Sequence, residues 1–279
     1  MSSFQSAPQA YDRFRSFLEN ACGILLGDNK EYLVKSRLKG LMAEHQFADL
    51  NRLVDQLESR GGVALREQVV DAMTTNETLW FRDLHPFRIL EEKIFPELEA
   101  EVRSRPLNIW SAACSTGQEP YSISMIAEEY RKKNLGKLSR GVSLTATDIS
   151  PSVLAKAKQG SYEMLALGRG MSKERLDLYF TADESGSWQI KPEISKAVDF
   201  KSLNLLQNFT GLAGQFDLVF CRNVLIYFSQ ELKHDILKRI HGKLRPGGYL
   251  FLGASESMTG MNEYFEMVQC HPGIIYKAK

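Results

Sequence analysis

Residues Asn108 to Tyr121 read N-I-W-S-A-A-C-S-T-G-Q-E-P-Y, and this stretch decides the fold. An apolar strand gives way to small residues, Gly117 makes the turn, and Pro120 opens a helix at a position where its missing N–H costs nothing. A second strand, Ser143 to Thr147, ends in Asp148. An acid at the tip of the second strand of a βαβ unit is placed to accept hydrogen bonds from two ribose hydroxyls. The sequence therefore predicts a nucleoside-binding site.

The glycine content of the turn distinguishes between nucleoside ligands. A pyrophosphate normally requires G-x-G-x-x-G, so that backbone N–H groups can reach its oxygens, and only Gly117 is present here. The separation of Gly117 from Asp148 also exceeds the roughly 20 residues of the NAD fingerprint. The pattern favours a nucleoside without phosphates, and S-adenosylmethionine is the common one. An NAD-dependent oxidoreductase and an ordinary α/β core with an acid at a strand end remain as alternatives.

Composition limits the function classes. The chain has 279 residues, of which 43% are hydrophobic, and a net charge of +1, so no global field points to nucleic acid or to a membrane surface. The four cysteines form no C-x-x-C pair, and no metal site is predicted. The segment from Met1 to Gln9 is polar, and no apolar run reaches about 18 residues. The sequence predicts a cytoplasmic protein with no direct membrane insertion.

The hydrophobic pattern changes near residue 75. Before it, the chain reads as an all-α domain, residues 1–75, in which Leu50, Leu53, Val54 and Leu57 share one helix face. Residues 76–279 alternate between strands and helices, which predicts a doubly wound, mostly parallel α/β sheet. The predicted strands are Leu107–Ala112, Ser143–Thr147, Val198–Phe200, Phe216–Cys221, Tyr249–Gly253, Phe265–Val268 and Ile274–Tyr276.

The second half carries two further predictions of structure. A helix from Ser229 to Leu244 is expected to stop at Arg245-Pro246-Gly247-Gly248. The last two strands form a terminal hairpin, which fits the Rossmann-like methyltransferase variant of the fold. An insertion at about residues 172–195 is predicted to contain a helix, Ser172–Tyr179, and a small antiparallel hairpin whose turn is Glu184–Ser187.

Polar residues follow two segments where a ligand is expected. Arg222 and Asn223 come directly after a buried strand, with Tyr227 one helical turn later, and ligands of open α/β sheets bind beyond the carboxyl ends of strands. The alternative is that Arg222 pairs with a surface acid and Tyr227 packs in the core. The polar segment Thr74–Arg82 joins the two domains and is the second candidate to contact a ligand. The alternative interpretation is that its polar residues cap the N-terminus of a helix.

Three motifs together resemble one family. T-T-N-E-T-x-x-F-R, C-S-T-G-x-E-P-Y-S and F-D-x-V-F-C-R-N-V-L-I-Y-F occur in this order, and the chain from about Tyr11 to its end is similar to the chemotaxis receptor methyltransferases, the CheR family. Gln118 and Trp80 depart from the residues often found at those positions. The resemblance implies a class I S-adenosylmethionine-dependent methyltransferase, with S-adenosylhomocysteine as product, that methylates glutamate side chains on the cytoplasmic helices of chemoreceptors.

The resemblance also assigns roles to residues. Arg222 and Tyr227 are implied as catalytic, with Tyr227 touching the methyl donor or the incoming carboxylate. Glu119 would face the methionine end of the cofactor, and Asp148 would hold the ribose. The implied cofactor-binding residues are Asn76, Thr78, Arg82, Glu119, Asp148, Asn204, Leu205, Arg222 and Asn223.

The implied chemistry needs little acid–base catalysis. A glutamate carboxylate has an ordinary pKa of about 4.3 and is already an anion at neutral pH, so catalysis reduces to alignment and desolvation. The sequence shows no convincing acid–base pair, which agrees with this mechanism. A non-catalytic adaptor that binds the cofactor and the receptor is the remaining alternative.

Two surfaces are candidates for receptor contact. Lys35, Arg37 and Lys39 could meet an acidic receptor face, with Lys35 and Lys39 on one helix face and Arg37 on another. The alternative is a solvated charged helix. In the family, the inserted hairpin can grip a peptide at the receptor's C-terminus. The short turn here predicts that this protein does not depend on such a tether.

Overall fold

The computed structural model describes residues 8–184 and 186–279. The polar segment 1–7, and Ser185 in the predicted hairpin turn, lie outside the described residues. The N-terminal part is helical, as predicted, and its helices bury one shared apolar core that includes Leu53 and Val54. The side chain of Asp49 accepts a hydrogen bond from the N–H of Arg52 and caps the third helix. These helices are α1 Pro8–Cys22, α2 Glu31–Glu44, α3 Leu50–Glu58 and α4 Val63–Met73.

The remaining helices flank a sheet or connect its strands. A π-helical turn, Leu90–Ile94, joins the fifth helix to the sixth. The long helix after the first strand begins at Gln118, directly after Gly117, and carries Pro120 in its first turn as predicted. These helices are α5 His85–Ile89, α6 Phe95–Leu98, α7 Gln118–Lys133, α8 Pro151–Gln159, α9 Met164–Leu167, α10 Lys173–Tyr179, α11 Pro192–Ser195 and α12 Gln230–His241.

The strands form two sheets. The larger sheet has the order β6-β2-β1-β7-β8-β10-β9, in which the first five strands pair in parallel and β10 pairs antiparallel with both β8 and β9. This confirms the predicted doubly wound sheet with a terminal hairpin. The strands are β1 Leu107–Ala112, β2 Val142–Asp148, β3 Ser161–Glu163, β4 Phe180–Ala182, β5 Ser187–Ile190, β6 Val198–Ser202, β7 Phe216–Cys221, β8 Leu244–Leu252, β9 Phe265–Cys270 and β10 Gly273–Ala278.

The strand register fixes where the site residues emerge. Ala112 at the end of β1 pairs with Thr147 of β2 on one side and with Cys221 of β7 on the other. The three chains therefore leave the sheet side by side at its carboxyl edge. Alternate residues of β1 enter separate apolar layers, with Ile109 on the face that α7 covers and Trp110 on the face that α12 covers.

The smaller sheet, β3-β5-β4, is antiparallel and contains the predicted hairpin of β4 and β5. The sequence analysis did not predict β3, because three residues are too few to show an alternating pattern. The sheet packs on the linker between the domains, where the ring of Trp80 stands edge-on against Tyr162 and Phe180, with centroids 5.0 and 5.5 Å away.

The predicted end of the helix at Arg245-Pro246-Gly247-Gly248 is wrong. Helix α12 ends at His241, and β8 already begins at Leu244. The pairing of β7 with β8 jumps from Phe216–Leu244 to Leu218–Tyr249, so the four residues 245–248 bulge opposite Asp217 alone. A proline and two glycines read as a helix stop, but here they form the bulge of a strand.

The buried carboxylate of Asp217 holds this bulge. It accepts two hydrogen bonds from the guanidinium of Arg105, both at 2.6 Å, and one from the backbone N–H of Asn108 at 2.8 Å. The Nε atom of Arg245 lies 3.3 Å from the same carboxylate. One charged group thus joins the amino ends of β1, β7 and β8, at the edge opposite the site residues.

We expect D217N to destabilise the protein by about 2 kcal/mol, because the amide has no charge and directs an NH2 group towards Arg105. Chemical denaturation followed by circular dichroism measures this difference. A variant as stable as the wild type would show that the bulge holds without the ion pair.

No helix within the described residues is long and apolar enough to cross a lipid bilayer.

Candidate functional site

One pocket lies at the carboxyl edge of the large sheet, between the sheet and the helical domain. It encloses about 980 Å³ of space that no atom fills, part of it open to solvent. The structure brings all the residues singled out from the sequence to this pocket: Asn76, Thr78, Arg82, Glu119, Asp148, Asn204, Leu205, Arg222, Asn223 and Tyr227.

The turn after β1 forms the floor of the pocket in an unusual backbone conformation. Ala113 and Ser115 adopt left-handed φ angles of 54° and 50°, and Gly117 follows at 93°. Non-glycine residues in this region carry strain, which concentrates at functional sites. A single glycine suffices because the small residues before it also turn the chain.

Asp148 is a buried carboxylate at the tip of β2. Its Oδ2 accepts from the N–H of Ser115 at 2.8 Å, and its Oδ1 accepts from the N–H of Ser150 at 3.0 Å. Burial raises the pKa of Asp148 above the ordinary aspartate value, although these backbone hydrogen bonds lower it in part. Each oxygen keeps acceptor capacity for a further donor, as a ribose hydroxyl would need.

The linker from Thr74 to Arg82 closes the pocket from above. The carbonyl of Asn76 accepts from the hydroxyl of Ser115 at 2.8 Å, which joins the linker to the turn after β1. At its other end, the N–H of Trp80 donates to the carbonyl of Arg169 at 3.0 Å. The segment Thr74–Arg82 is therefore an irregular strap that ends in a turn, and not the start of a helix.

Arg222 is the most buried cation of the pocket, with 2% of its side chain exposed. Its Nη1 donates to Glu119 at 3.0 Å, and its Nη2 donates to Asp83 at 2.7 Å and to the carbonyl of Arg82 at 3.0 Å. The other oxygen of Glu119 accepts from the hydroxyl of Ser111 at 2.7 Å. The lining of the pocket holds three carboxylates, those of Glu77, Glu119 and Asp148, and two guanidinium groups, those of Arg82 and Arg222, so its formal net charge is −1, which favours a cationic ligand.

The segment after Arg222 turns back over the pocket. Asn223 is left-handed, with φ of 60°, and a 3-10 turn, Leu225–Tyr227, follows it. Five backbone N–H groups around this turn donate to the carboxylate of Glu256, a residue that sequence reasoning missed. The only sequence signal was an acid just beyond the end of β8, at the same edge as the predicted site.

Comparison with known proteins identifies the family of the chain. The family model described as CheR methyltransferase, SAM binding domain, matches residues 76–274, and the CheR methyltransferase all-alpha domain matches residues 9–74. The chain belongs to the CheR methyltransferase family. The earlier resemblance is confirmed, and S-adenosylmethionine is the cofactor of this methyltransferase fold.

Curated relatives extend over almost the whole chain. Chemotaxis protein methyltransferase 1 of Pseudomonas aeruginosa is 56% identical over 269 residues, which are 96% of this chain and 97% of the relative. Chemotaxis protein methyltransferase Cher2 of Pseudomonas putida is 55% identical over 269 residues, with 96% and 98% covered. A chemotaxis protein methyltransferase of Vibrio anguillarum is 49% identical over 279 residues and covers both chains fully.

The pocket of this CheR family member fits an adenosyl sulfonium. Asp148 offers acceptors for ribose hydroxyls, and the Glu119 wall carries the negative charge that a sulfonium favours. Apolar side chains of Ile149, Leu205 and Phe228 line the remaining part, which suits a flat base.

The helical domain contributes a wall that the sequence did not predict. Cys22 and Ile24, at the end of α1, line the pocket. The Nδ2 of Asn204 donates to the carbonyl of Ala21 at 2.8 Å, and the N–H of Leu25 donates to the carbonyl of Tyr227 at 2.9 Å. A helix end can be read from sequence, but no local pattern tells which distant surface it will contact.

The thiols of the pocket are not reactive anions at neutral pH. Burial raises the pKa of Cys22 to about 11 and places the pKa of Cys114 well above its usual range. No group of three or more potential metal ligands occurs within residues 8–184 and 186–279.

The three basic residues of α2 have different surroundings. Lys35 forms an ion pair with Glu31 at 3.0 Å. Arg37 faces inward and donates to the carbonyls of Met73 and Thr74 and to the hydroxyl of Thr75. Lys39 is exposed. Arg37 therefore anchors the start of the linker and is not part of an exposed basic face.

We expect R37A to weaken S-adenosylhomocysteine binding about tenfold, because the linker loses about 1.4 kcal/mol of charged hydrogen bonding at its first residues. Isothermal titration calorimetry measures the affinity. K39A, on the same helix and exposed, is the matched control and should bind as the wild type does. Wild-type affinity in R37A would contradict the anchoring role.

The affinity for S-adenosylhomocysteine should depend on the protonation state of Asp148. If ribose hydroxyls donate to this carboxylate, as the sequence predicts, the affinity is complete above the raised pKa and falls as the pH drops through it. Calorimetry with S-adenosylhomocysteine at a series of pH values that descends from neutral pH should show this fall in the wild type. D148N, which does not titrate, should bind more weakly at neutral pH and show no such fall. Parallel profiles in both proteins would assign the pH dependence to another group.

Proposed function

We propose that this protein transfers the methyl group of S-adenosylmethionine to glutamate side chains on the cytoplasmic helices of chemoreceptors and forms glutamate methyl esters. The relatives named chemotaxis protein methyltransferases support the receptor as the substrate. The protein would act in the cytoplasm, where those helices are.

The side chains that line the pocket support a carboxylate as the methyl acceptor. Within the described lining of the pocket there is no histidine, and the thiols of Cys22 and Cys114 are protonated at neutral pH. The carboxylates of the lining are engaged: that of Glu119 by Arg222 and Ser111, that of Glu77 by Arg169, and that of Asp148 by the N–H groups of Ser115 and Ser150. An amine or hydroxyl acceptor would have to lose a proton to such a base, whereas a glutamate carboxylate is ionised already.

The residues of the chain then bind, orient and exclude water. S-adenosylmethionine, when bound, supplies an already activated methyl group. Asp148 holds the ribose hydroxyls, and Asn76, Thr78 and Arg82 of the linker cover the pocket. Arg222 fixes Glu119 and the linker, which makes it a positioning residue in this proposal. The half-buried Tyr227 lines the pocket and is the candidate to contact the acceptor carboxylate.

The receptor-facing surface would lie at the pocket mouth. Leu25 and Ile226 are exposed apolar residues on two segments joined by the hydrogen bond from Leu25 to Tyr227. Lys39 and Tyr32 are exposed on α2 of the same domain. These residues offer both apolar and cationic contacts to an amphipathic helix that carries acidic side chains. We also propose that a C-terminal receptor tether is dispensable.

Methyl transfer to receptor-containing membranes tests the proposed function. Labelled S-adenosylmethionine should give base-labile label on receptor glutamates, and receptors without their C-terminal tail should be labelled at the same rate. Binding of S-adenosylhomocysteine without base-labile label would favour the non-catalytic adaptor. A loss of labelling confined to the truncated receptors would refute tether independence alone.

Y227F separates orientation of the acceptor from cofactor binding. We expect kcat to fall about tenfold, the effect of about 1.4 kcal/mol from one lost hydrogen bond, with unchanged affinity for S-adenosylhomocysteine. Labelling rates and calorimetry provide the two quantities. Equal losses in both would mean that Tyr227 serves the cofactor and not the acceptor.

A further inference from the structure

The carboxylate of Glu256 collects an unusual number of backbone donors. Its Oε1 accepts from the N–H groups of Val224, Leu225 and Ile226 at 2.9, 2.7 and 3.3 Å. Its Oε2 accepts from the N–H groups of Asn223 and Gly253 at 2.7 and 2.8 Å. Four consecutive peptide groups, 223–226, therefore point at one anion, in the manner of a backbone nest.

The chain around Glu256 is shaped for this contact. Gly253 permits the close approach of the two segments, since a Cβ there would lie 2.7 Å from Oε2 of Glu256 and 2.9 Å from the N of Asn223. Asn223 needs its left-handed φ of 60° to direct its N–H inward. Without an anion, these converging donors would repel one another, so the conformation of the turn depends on Glu256.

The position of the turn gives this contact a functional meaning. Asn223, Val224 and Tyr227 all line the pocket, and the turn that Glu256 holds includes both Asn223 and Val224 and leads directly into Tyr227. We propose that Glu256 is a positioning residue for methyl transfer, which fixes the turn 223–227 so that Tyr227 reaches the acceptor carboxylate. This inference rests on the proposed function.

The proposal also restricts how the acceptor binds. The N–H groups of 223–226 are the obvious backbone site for an anion beside Tyr227, and Glu256 already occupies them. The acceptor carboxylate therefore cannot bind to these N–H groups. In this proposal side chains such as that of Tyr227 align it with the methyl donor.

E256Q tests the proposal with little change in shape. The glutamine has one acceptor oxygen, and its NH2 group faces donors, so part of the nest loses its partner. We expect faster amide hydrogen exchange at residues 223–226. We also expect kcat for receptor methylation to fall at least about tenfold, because reaction rates are sensitive to small misplacements. Affinity for S-adenosylhomocysteine should fall clearly less than kcat does, because Asn223 borders the cofactor pocket but Asp148 and the linker are unaltered.

D217N is the matched control, since it removes another buried carboxylate that binds arginine and backbone at the opposite edge of the sheet. It should lose stability but keep the wild-type kcat. G253A disturbs the same nest from the other side and should reproduce the kcat loss of E256Q; it carries the test if E256Q does not fold.

Two results would overturn the proposal. One is a wild-type kcat in folded E256Q or G253A. The other is an equal loss of kcat and of S-adenosylhomocysteine affinity, which would make Glu256 a support of cofactor binding alone. Failure of the proposed function is a separate outcome, because wild-type protein would then label no receptor.

Discussion

The buried guanidinium of Arg222 is the constraint around which the site is built. A cation with 2% of its side chain exposed must be paired, because leaving it unpaired would cost several kcal/mol. Its partners, Glu119 at the start of α7 and Asp83 beyond the linker, come from parts of the chain that are far apart in sequence. Pairing this one charge thus brings β7, α7 and the linker together and holds the carboxylate of Glu119 in the wall of the pocket, where it would favour a sulfonium.

Much of the fold and site follows from local sequence. The single Gly117, the acid at Asp148 and the polar pair after β7 all lie at strand ends, and parallel strands place such ends at one edge. The register confirms this, since Ala112 pairs with both Thr147 and Cys221. These residues could be predicted because parallel strands all end at one edge of the sheet, so a position just after a strand is enough to place a residue at that edge.

Long-range contacts explain the features that the sequence did not predict. Arg37 is spaced like a surface residue of α2, but it turns inward to the carbonyls at the end of α4. Cys22 reaches the pocket because α1 ends against the methyltransferase fold, and the bulge of β8 exists because Asp217 binds arginines there. Nothing in the local sequence distinguishes Glu256 from other acidic residues, because most of the N–H groups that it binds lie far from it in the chain.

A crystal structure of the protein with S-adenosylhomocysteine tests the central claim most directly. The account predicts the ribose hydroxyls on Asp148, the base against Leu205 and Phe228, and the sulfur on the side of the Glu119–Arg222 pair. A saturated crystal in which the ligand lies elsewhere, or in which the protein's own side chains fill the crevice, would contradict it.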